Sequence, residues 1–343
     1  LEGADQPDWL PAGSLEARCV VVFVLDGLGW NQLASRGGLA PTLSSLEGGP
    51  ITTVAPTTTA TALTSITTGL PPGEHGMVGY RVALEEGVLN TLRWSVGGEG
   101  RKNRPDPRVF QPYSTFGAQR PPVVTRAEHV GSGFSRAHLT DARMIGYQTR
   151  AGAIDGVVET AESAEAFVYV YWDGIDRMAH EYGFGEHYDE ELAACDSMVA
   201  VMLDRLPPQT AVLVTADHGQ VEVGEQMLKL PEEVSALVER QSGEARFRWL
   251  HGNSDSREEL LVTCREAFGA SAWVAGVDEV VDGGWFGPVV TSAARARLGD
   301  VALIAREPVG FIDPAEVAPI QLICRHGSLT ADEVLVPLVG AIT

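Results

Sequence analysis

Cys19-Val-Val-Val-Phe-Val-Leu25-Asp26-Gly27 is a continuous apolar run, rich in β-branched residues, that stops at an aspartate and a glycine. A short run without polar alternation reads as a strand buried on both faces, as in a parallel sheet beneath helices. Ligands of open α/β sheets gather beyond the carboxyl ends of such strands, so Asp26 is a candidate site residue. Taken alone, the same aspartate also suits a turn or a helix cap. The pattern recurs along the chain. Ala166-Phe-Val-Tyr-Val-Tyr-Trp172 ends in Asp173-Gly-Ile-Asp176-Arg-Met-Ala-His180-Glu-Tyr-Gly183. Ala211-Val-Leu-Val-Thr215 ends in Ala216-Asp217-His218-Gly219. Between these two, Glu186 to Leu206 has helical spacing, with Leu192, Cys195, Met198, Val199, Met202 and Leu203 on one side. Ile51–Val54, Arg246–Leu250, Ala302–Ala305 and Ile320–Cys324 read as further strands, and the region near Ser256 to Phe268 as a helix. Strands alternating with helices predict an α/β fold with a mostly parallel sheet flanked by helices.

Val54-Ala-Pro-Thr-Thr-Thr-Ala-Thr-Ala-Leu-Thr-Ser-Ile-Thr-Thr-Gly69 reads as a loop that turns into a helix. Pro56 suits the turn, the threonines after it suit the cap, and Gly69 with Pro71-Pro72 ends the helix. A hydroxyl at a helix start faces unpaired N–H groups and the positive end of the helix dipole. Such a place gathers a phosphate and eases loss of the hydroxyl proton, which makes Thr59 a candidate nucleophile. The bland reading of this stretch is a threonine-rich cap without chemistry.

The chain has 343 residues, enough for one large α/β domain over residues 15–343 with an irregular segment at 1–14. Residues 81–164 differ in texture, with Arg93, Arg101, Arg104 and Arg108, scattered prolines, Trp94 and few clear periods. This stretch is expected to be an inserted cap over the site, carrying substrate choice together with part of Gly243–Phe311. Val123-Val124 gives only a weak strand signal, and Thr140–Ala164 has helical spacing broken by glycines.

A net charge of -21 argues against a nucleic-acid duplex as partner, since that needs a basic footprint. A small anionic substrate remains compatible, because a bound metal inverts the local field. No apolar run is long enough to span a bilayer, and the first residues carry no signal-peptide pattern. Cys19, Cys195, Cys264 and Cys324 are spaced as buried free thiols rather than as a metal or disulfide motif. These features predict a cytoplasmic protein, and none fixes an oligomeric state.

Asp26, Thr59, Asp176 with His180, Asp217 with His218, and His326 fall at strand ends or loop–helix junctions. Carboxylates and imidazoles hold zinc or a similar divalent ion. Two such ions about 4 Å apart activate a nucleophile and neutralise a transferring phosphoryl group. The four-residue step from Asp176 to His180 brings both to one helix face, which favours Asp176 over Asp173 as the ligand. His75 reads as structural, and His129, His138, His187 and His251 as core or surface residues. Tyr171 and Trp172 read as core.

In order along the chain, strand-Asp26-Gly27, Thr59 ahead of Thr68-Gly69, Gly69-Leu-Pro-Pro-Gly-Glu-His-Gly76, Asp176-x-x-x-His180-x-x-Gly183, Thr215-Ala-Asp-His-Gly219 and His326-Gly327 resemble the alkaline phosphatase superfamily. The likeness is greatest to its nucleotide pyrophosphatase/phosphodiesterase branch. The resemblance implies that Asp26, Thr59, Asp217 and His218 bind one metal and that Asp176, His180 and His326 bind the other. The implied metals are two divalent ions, zinc first, with manganese or iron as alternatives. It implies a phosphodiester or pyrophosphate hydrolase in which Thr59 attacks phosphorus and water releases a phospho-threonine intermediate. Alternatives are a phosphomonoesterase or phosphonate hydrolase of the same superfamily, and a non-catalytic module that binds phosphate ligands. Where the branch usually has an asparagine on a phosphate oxygen, this chain has Tyr80, whose hydroxyl suits the same role. The phosphate-binding arginine of the phosphomonoesterases has no counterpart in the pattern, with Arg93 and Arg101 the nearest candidates. The Cys/Ser-x-Pro-x-Arg motif of sulfatases is absent.

Overall fold

The computed structural model describes residues 7–97, 104–163, 165–253, 255–316 and 321–343. Its centre is a seven-stranded sheet in the order 47–52, 335–342, 210–215, 19–25, 167–172, 122–126, 143–147. Cys19–Leu25 pairs in parallel with Phe167–Trp172 and Thr210–Thr215, and Pro122–Arg126 pairs in parallel with Phe167–Trp172 and Arg143–Tyr147. Leu335–Ile342 runs antiparallel between Thr210–Thr215 and the edge strand Glu47–Thr52.

Alternate residues of the central strand serve two cores. Val21, Phe23 and Leu25 pack with Val157, Leu192, Cys195, Met198 and Met202 under helices Arg150–Glu162 and Glu186–Arg205. Val24, with Val123 and Tyr169, packs on the other face against Ala60 and Leu63 of helix Thr59–Thr68. Burying both faces is what an uninterrupted Val-rich strand requires. The four cysteines are buried and unbonded. Among the described residues no helix is long and apolar enough to cross a membrane.

A second, antiparallel sheet of order 238–243, 247–252, 301–305, 272–276 packs Phe247, Trp249, Ala302 and Ile304 into the same core as helix Thr59–Thr68. The expected strands around Leu250 and Ala305 lie here, not in the central sheet, and the expected helix is Arg257–Phe268.

Residues 81–164 differ from the expected cap. Arg81–Leu84, Gly87–Asn90 and Ser95–Val96 form a small three-stranded sheet, but Pro122–Arg126 and Arg143–Tyr147 are strands of the central sheet and Arg150–Glu162 is one of its helices. Val123 and Val124 are fully buried, so two apolar residues were enough to seat that strand. Of the expected Ile320–Cys324 strand, Ile320 lies outside the described residues and only Cys324–Arg325 is extended, paired with Val221–Glu222. The stretch after it forms the strand Leu335–Ile342 of the central sheet, which the sequence pattern did not indicate.

Candidate metal centre

The register of the sheet sets the site. Leu25 pairs with Trp172, and Val24 with Thr215. The residues that follow, Asp26, Asp173 and Asp217, therefore emerge at one carboxyl edge. Asp176 is carried one turn into helix Gly174–Tyr182, where its backbone N–H donates to the Asp26 carbonyl at 3.0 Å. Thr59 opens its helix on the adjoining loop, and Thr57 pairs with Gly327 in an isolated bridge that brings His326 alongside.

Inside the helix, Thr64, Thr67 and Thr68 donate to the carbonyls of Ala60, Leu63 and Thr64, whereas the buried Thr61 hydroxyl has no partner among the described residues. Gly69 ends it at φ 70°, a left-handed position that favours glycine. The cap differs from expectation: the Thr58 side chain makes no cap hydrogen bond and lies close enough to Glu244 to ease its ionisation.

Thr59 Oγ1 lies 3.1 Å from His218 Nε2, which is 3.4 Å from Asp26 Oδ1 and 3.5 Å from Asp217 Oδ2. Asp26 Oδ1 and Asp217 Oδ2 are buried and have no hydrogen-bond partner. Four tetrahedral ligands with bonds of 2.0–2.1 Å are separated by about 3.3 Å, and the three distances from His218 Nε2 are of that length. Each remaining donor and acceptor is committed elsewhere. Tyr171 donates its hydroxyl to Asp26 Oδ2, and Gly27 and His218 donate their N–H groups to Asp217 Oδ1 at 3.1 Å each. Three imidazoles share one arrangement: His218 Nδ1 faces the Gly219 carbonyl at 3.0 Å, His180 Nδ1 that of Cys324 at 2.7 Å, and His326 Nδ1 that of Thr57 at 2.9 Å. A carbonyl only accepts, so Nδ1 carries the proton and Nε2 keeps its lone pair free for a metal.

The second group overlaps the first. Asp176, His218 and His326 place ligand atoms within 4.8 Å of one another. His180 Nε2 joins through Asp176 Oδ1 at 3.3 Å, and Gln220 donates to the same oxygen at 2.8 Å. The rings of His218 and His326 stack with centroids 3.6 Å apart. His218 therefore stands between both ligand groups rather than in one alone.

Burial, and then the charges of Asp217 and Asp176, hold the Asp26 carboxyl well above its ordinary range. Burial raises Asp176 as well, against the lowering influence of His180 and His218. Burial, with His218 and His180 nearby, holds the His326 imidazole well below its usual value. Two buried carboxylates, a half-buried third and two stacked imidazoles are costly neighbours without a cation, and a divalent ion removes both penalties.

Other residues take the following places. His75 bridges Ser65 Oγ at 2.8 Å and the Met77 N–H at 3.0 Å, and burial followed by the Arg297 charge lowers it to about 3, as a structural histidine requires. His138 stacks on Phe134, His251 meets Ser242, and His187 is exposed. His129 lies with Glu128 and Asp173 in a third group of metal-ligand type, but Asp173 is held by Arg126 at 2.5 Å. Tyr80 Oη accepts from Asn90 at 2.6 Å, and no hydrogen bond joins it to Thr59 among the described residues. Arg101 lies outside the described residues, and the Arg93 side chain has no hydrogen bond among the described residues, its backbone N–H donating to Asn90 Oδ1.

Tyr171, Gln220 and Glu244 escaped the sequence reading. Tyr171 packs against the core beside Tyr169, as expected, but it is on the strand face opposite Val170 and Trp172 and its hydroxyl also reaches Asp26 Oδ2. Gln220 directly follows Asp-His-Gly, a signal that was available. Glu244 had none: it is buried, accepts from the Tyr80 N–H at 3.2 Å, and crowds Gly327, and burial pushes its carboxyl up to about 8.

A search of curated proteins finds no match to the chain. Among solved structures, human ectonucleotide pyrophosphatase/phosphodiesterase 5 superposes with a TM-score of 0.71 at 14% identity, covering 94% of this chain and 87% of that one. Its murine counterpart, in an inactive threonine-to-alanine form in complex with AMP, gives 0.69 at 14% identity, covering 93% and 87%. Phosphonoacetate hydrolase from Sinorhizobium meliloti 1021 in complex with phosphonoformate gives 0.69 at 17% identity, covering 94% and 90%. The profile of the type I phosphodiesterase / nucleotide pyrophosphatase family matches residues 20–307. With that match over most of its length and an alkaline-phosphatase-like sheet beneath the site, the chain belongs to the type I phosphodiesterase / nucleotide pyrophosphatase family.

Proposed function

We propose that the protein is a divalent-metal-dependent hydrolase of phosphodiester or pyrophosphate bonds that works through a phospho-threonine intermediate on Thr59. The observation that supports this most is that Thr59 Oγ1, Asp26 Oδ1 and Asp217 Oδ2 all lie 3.1–3.5 Å from His218 Nε2, with the two carboxylate oxygens buried and unpartnered. Asp26, Thr59, Asp217 and His218 would hold one ion, and Asp176, His180 and His326 the other, with His218 between them. Zinc suits the nitrogen and oxygen donors, and manganese or iron are alternatives. When bound, such ions lower the cost of the threonine alkoxide and of the charge gathering on the phosphoryl oxygens.

Thr59 Oγ gives up its proton to solvent and forms the bond to phosphorus as the bond to the leaving oxygen breaks, and the leaving alkoxide takes a proton back from solvent. Water then attacks the phospho-threonine from the opposite side, which restores the Thr59 hydroxyl and releases the phosphate product. The Tyr80 phenol, whose oxygen accepts from Asn90, keeps its own proton to donate to an outer phosphoryl oxygen. The Asn90 amide is oriented for this because its Oδ1 already accepts the Arg93 N–H at 2.9 Å.

Zinc-dialysed protein is expected to hydrolyse bis(p-nitrophenyl) phosphate or p-nitrophenyl thymidine monophosphate faster than p-nitrophenyl phosphate, and to lose that activity in EDTA. Failure on both diesters would remove the diesterase reading. Carbon–phosphorus cleavage is the second reading, supported by the likeness to phosphonoacetate hydrolase.

Tyr171→Phe tests how the site is tuned. Without the phenol, Asp26 Oδ2 loses its donor while the strand packing remains. Groups that orient metal ligands are worth roughly 10- to 100-fold in affinity, so zinc is expected to bind that much more weakly in a chelator competition. Unchanged affinity would make Tyr171 a packing residue after all.

A further inference from the structure

The phosphate-binding arginine sought in Arg93 and Arg101 has a third candidate that the sequence pattern did not suggest. Arg325 lies in the extended pair Cys324–Arg325, bracketed by the site: the carbonyl before it, on Cys324, holds His180 Nδ1 at 2.7 Å, and the residue after it is His326. Among the described residues the Arg325 side chain takes part in no hydrogen bond or ion pair, and its Nε is buried without a partner. The neighbouring arginines are engaged. Arg246 forms a buried bidentate pair with Glu333, Arg248 bonds Glu316 at 3.0 Å, and Arg81 bonds Asp313. Glu316 is shared between Arg248 and Arg81, and although its charge also reaches Arg325, no carboxylate among the described residues forms an ion pair with Arg325.

A guanidinium cannot shed its proton, and its Nε–H closed off from solvent is costly while it lacks an acceptor. The planar fork matches a carboxylate or phosphate in particular. In an acidic chain of net charge -21, an unpaired arginine beside a candidate metal ligand is placed for an anion that arrives with the substrate.

We propose that Arg325 binds a second anionic group of the substrate, a phosphate or a carboxylate carried next to the phosphorus that Thr59 attacks. It is a specificity-determining residue for the hydrolase reading above, on which it rests. Substrates with two anionic groups are thereby selected over simple diesters.

The full-length zinc-loaded protein, Arg325→Ala and Arg325→Lys are compared on bis(p-nitrophenyl) phosphate, which has no second anionic group, on ATP and on phosphonoacetate. Each is read as kcat/KM where it is turned over, and as a competitive Ki against the diester where it is not. One lost charge-assisted contact predicts that the ratio of ATP or phosphonoacetate to diester falls roughly 10- to 100-fold in Arg325→Ala, through KM, with part restored by lysine. A fall with ATP alone assigns phosphate, and a fall with phosphonoacetate alone assigns carboxylate. Ratios within about threefold of wild type for both would overturn the proposal. Should Arg325→Ala not fold, the lysine variant carries the same comparison. If wild type turns over no phosphorus substrate, the hydrolase reading fails separately. Calorimetric binding of phosphonoacetate to wild type and Arg325→Ala then decides Arg325: about tenfold weaker binding supports it, and equal binding overturns it.

Discussion

Thr59→Ala is expected to lower turnover of bis(p-nitrophenyl) phosphate by at least about 10⁴-fold, toward the roughly 10⁶-fold scale seen when a catalytic nucleophile is removed. The loss should fall on kcat, because substrate recognition by the surrounding residues survives. Thr59 is 7% exposed and its hydroxyl faces His218 Nε2, so the substitution removes one methyl-bearing side chain at a helix start. It leaves no backbone group unpaired, since Thr64 and not Thr59 bonds the Ala60 carbonyl. Asp26, Asp217 and His218 keep their own hydrogen bonds, so the variant should still bind metal. Thr59→Ser retains the oxygen and is expected to keep activity within roughly tenfold of wild type. Thr58→Ala is the control for register: that side chain lies close to Glu244, and its loss should cost far less than that of Thr59. If Thr59→Ala kept even a tenth of wild-type turnover, or Thr58→Ala fell as far as it did, the nucleophile would have to be sought elsewhere.

The parts of the site that the sequence revealed are those with a local period. Asp26 closes an uninterrupted buried strand, and Asp176 and His180 are one helical turn apart and meet at 3.3 Å. Their convergence required only that parallel strands end at one edge, which the fold class implies. What stayed hidden depends on contacts between distant segments. The strand Leu335–Ile342 carries Pro337, which argues against a strand in a sheet interior. In the structure its pairing with Thr210–Thr215 starts only at Leu338, so the missing N–H faces no ladder partner on that side. Pro122–Arg126 was masked in the same way by Pro121 and Pro122 and has just two central valines. Glu244, Arg246 and Arg325 act across the turn of the second sheet and the loop after His326. Arg246 pairs with Glu333, which in turn accepts from the Ser328 N–H at 2.9 Å. No short motif marks such a clamp, because its two halves are encoded 87 positions apart.

The ligand cluster also sets an unusual relation between metal and stability. Asp217 is fully buried, and its Oδ2 has no hydrogen-bond partner, near an Asp26 oxygen in the same condition. Two buried carboxylates facing each other oppose folding until a cation joins them. Two sites filled at a thousand times their dissociation constants add about 8 kcal/mol, which for a chain of this size raises the melting temperature by roughly 8 to 15 °C. Asp217→Asn separates the two effects. Its carbonyl oxygen keeps the N–H donors of Gly27 and His218, and its amide is placed to donate toward Asp26 Oδ1. The metal-free variant is therefore expected to melt a few degrees above metal-free wild type, about 1–3 kcal/mol in its favour. Added zinc should stabilise it less than half as much, and turnover should drop by about 10³-fold, since one anionic ligand is gone. The usual outcome at a structural buried aspartate is the opposite: removing the charge destabilises the fold whatever the metal content. Scanning calorimetry of the two proteins, with EDTA and with zinc, distinguishes the cases. A metal-free Asp217→Asn that melts below metal-free wild type would mean that these carboxylates are structural groups and not an unfilled ligand shell.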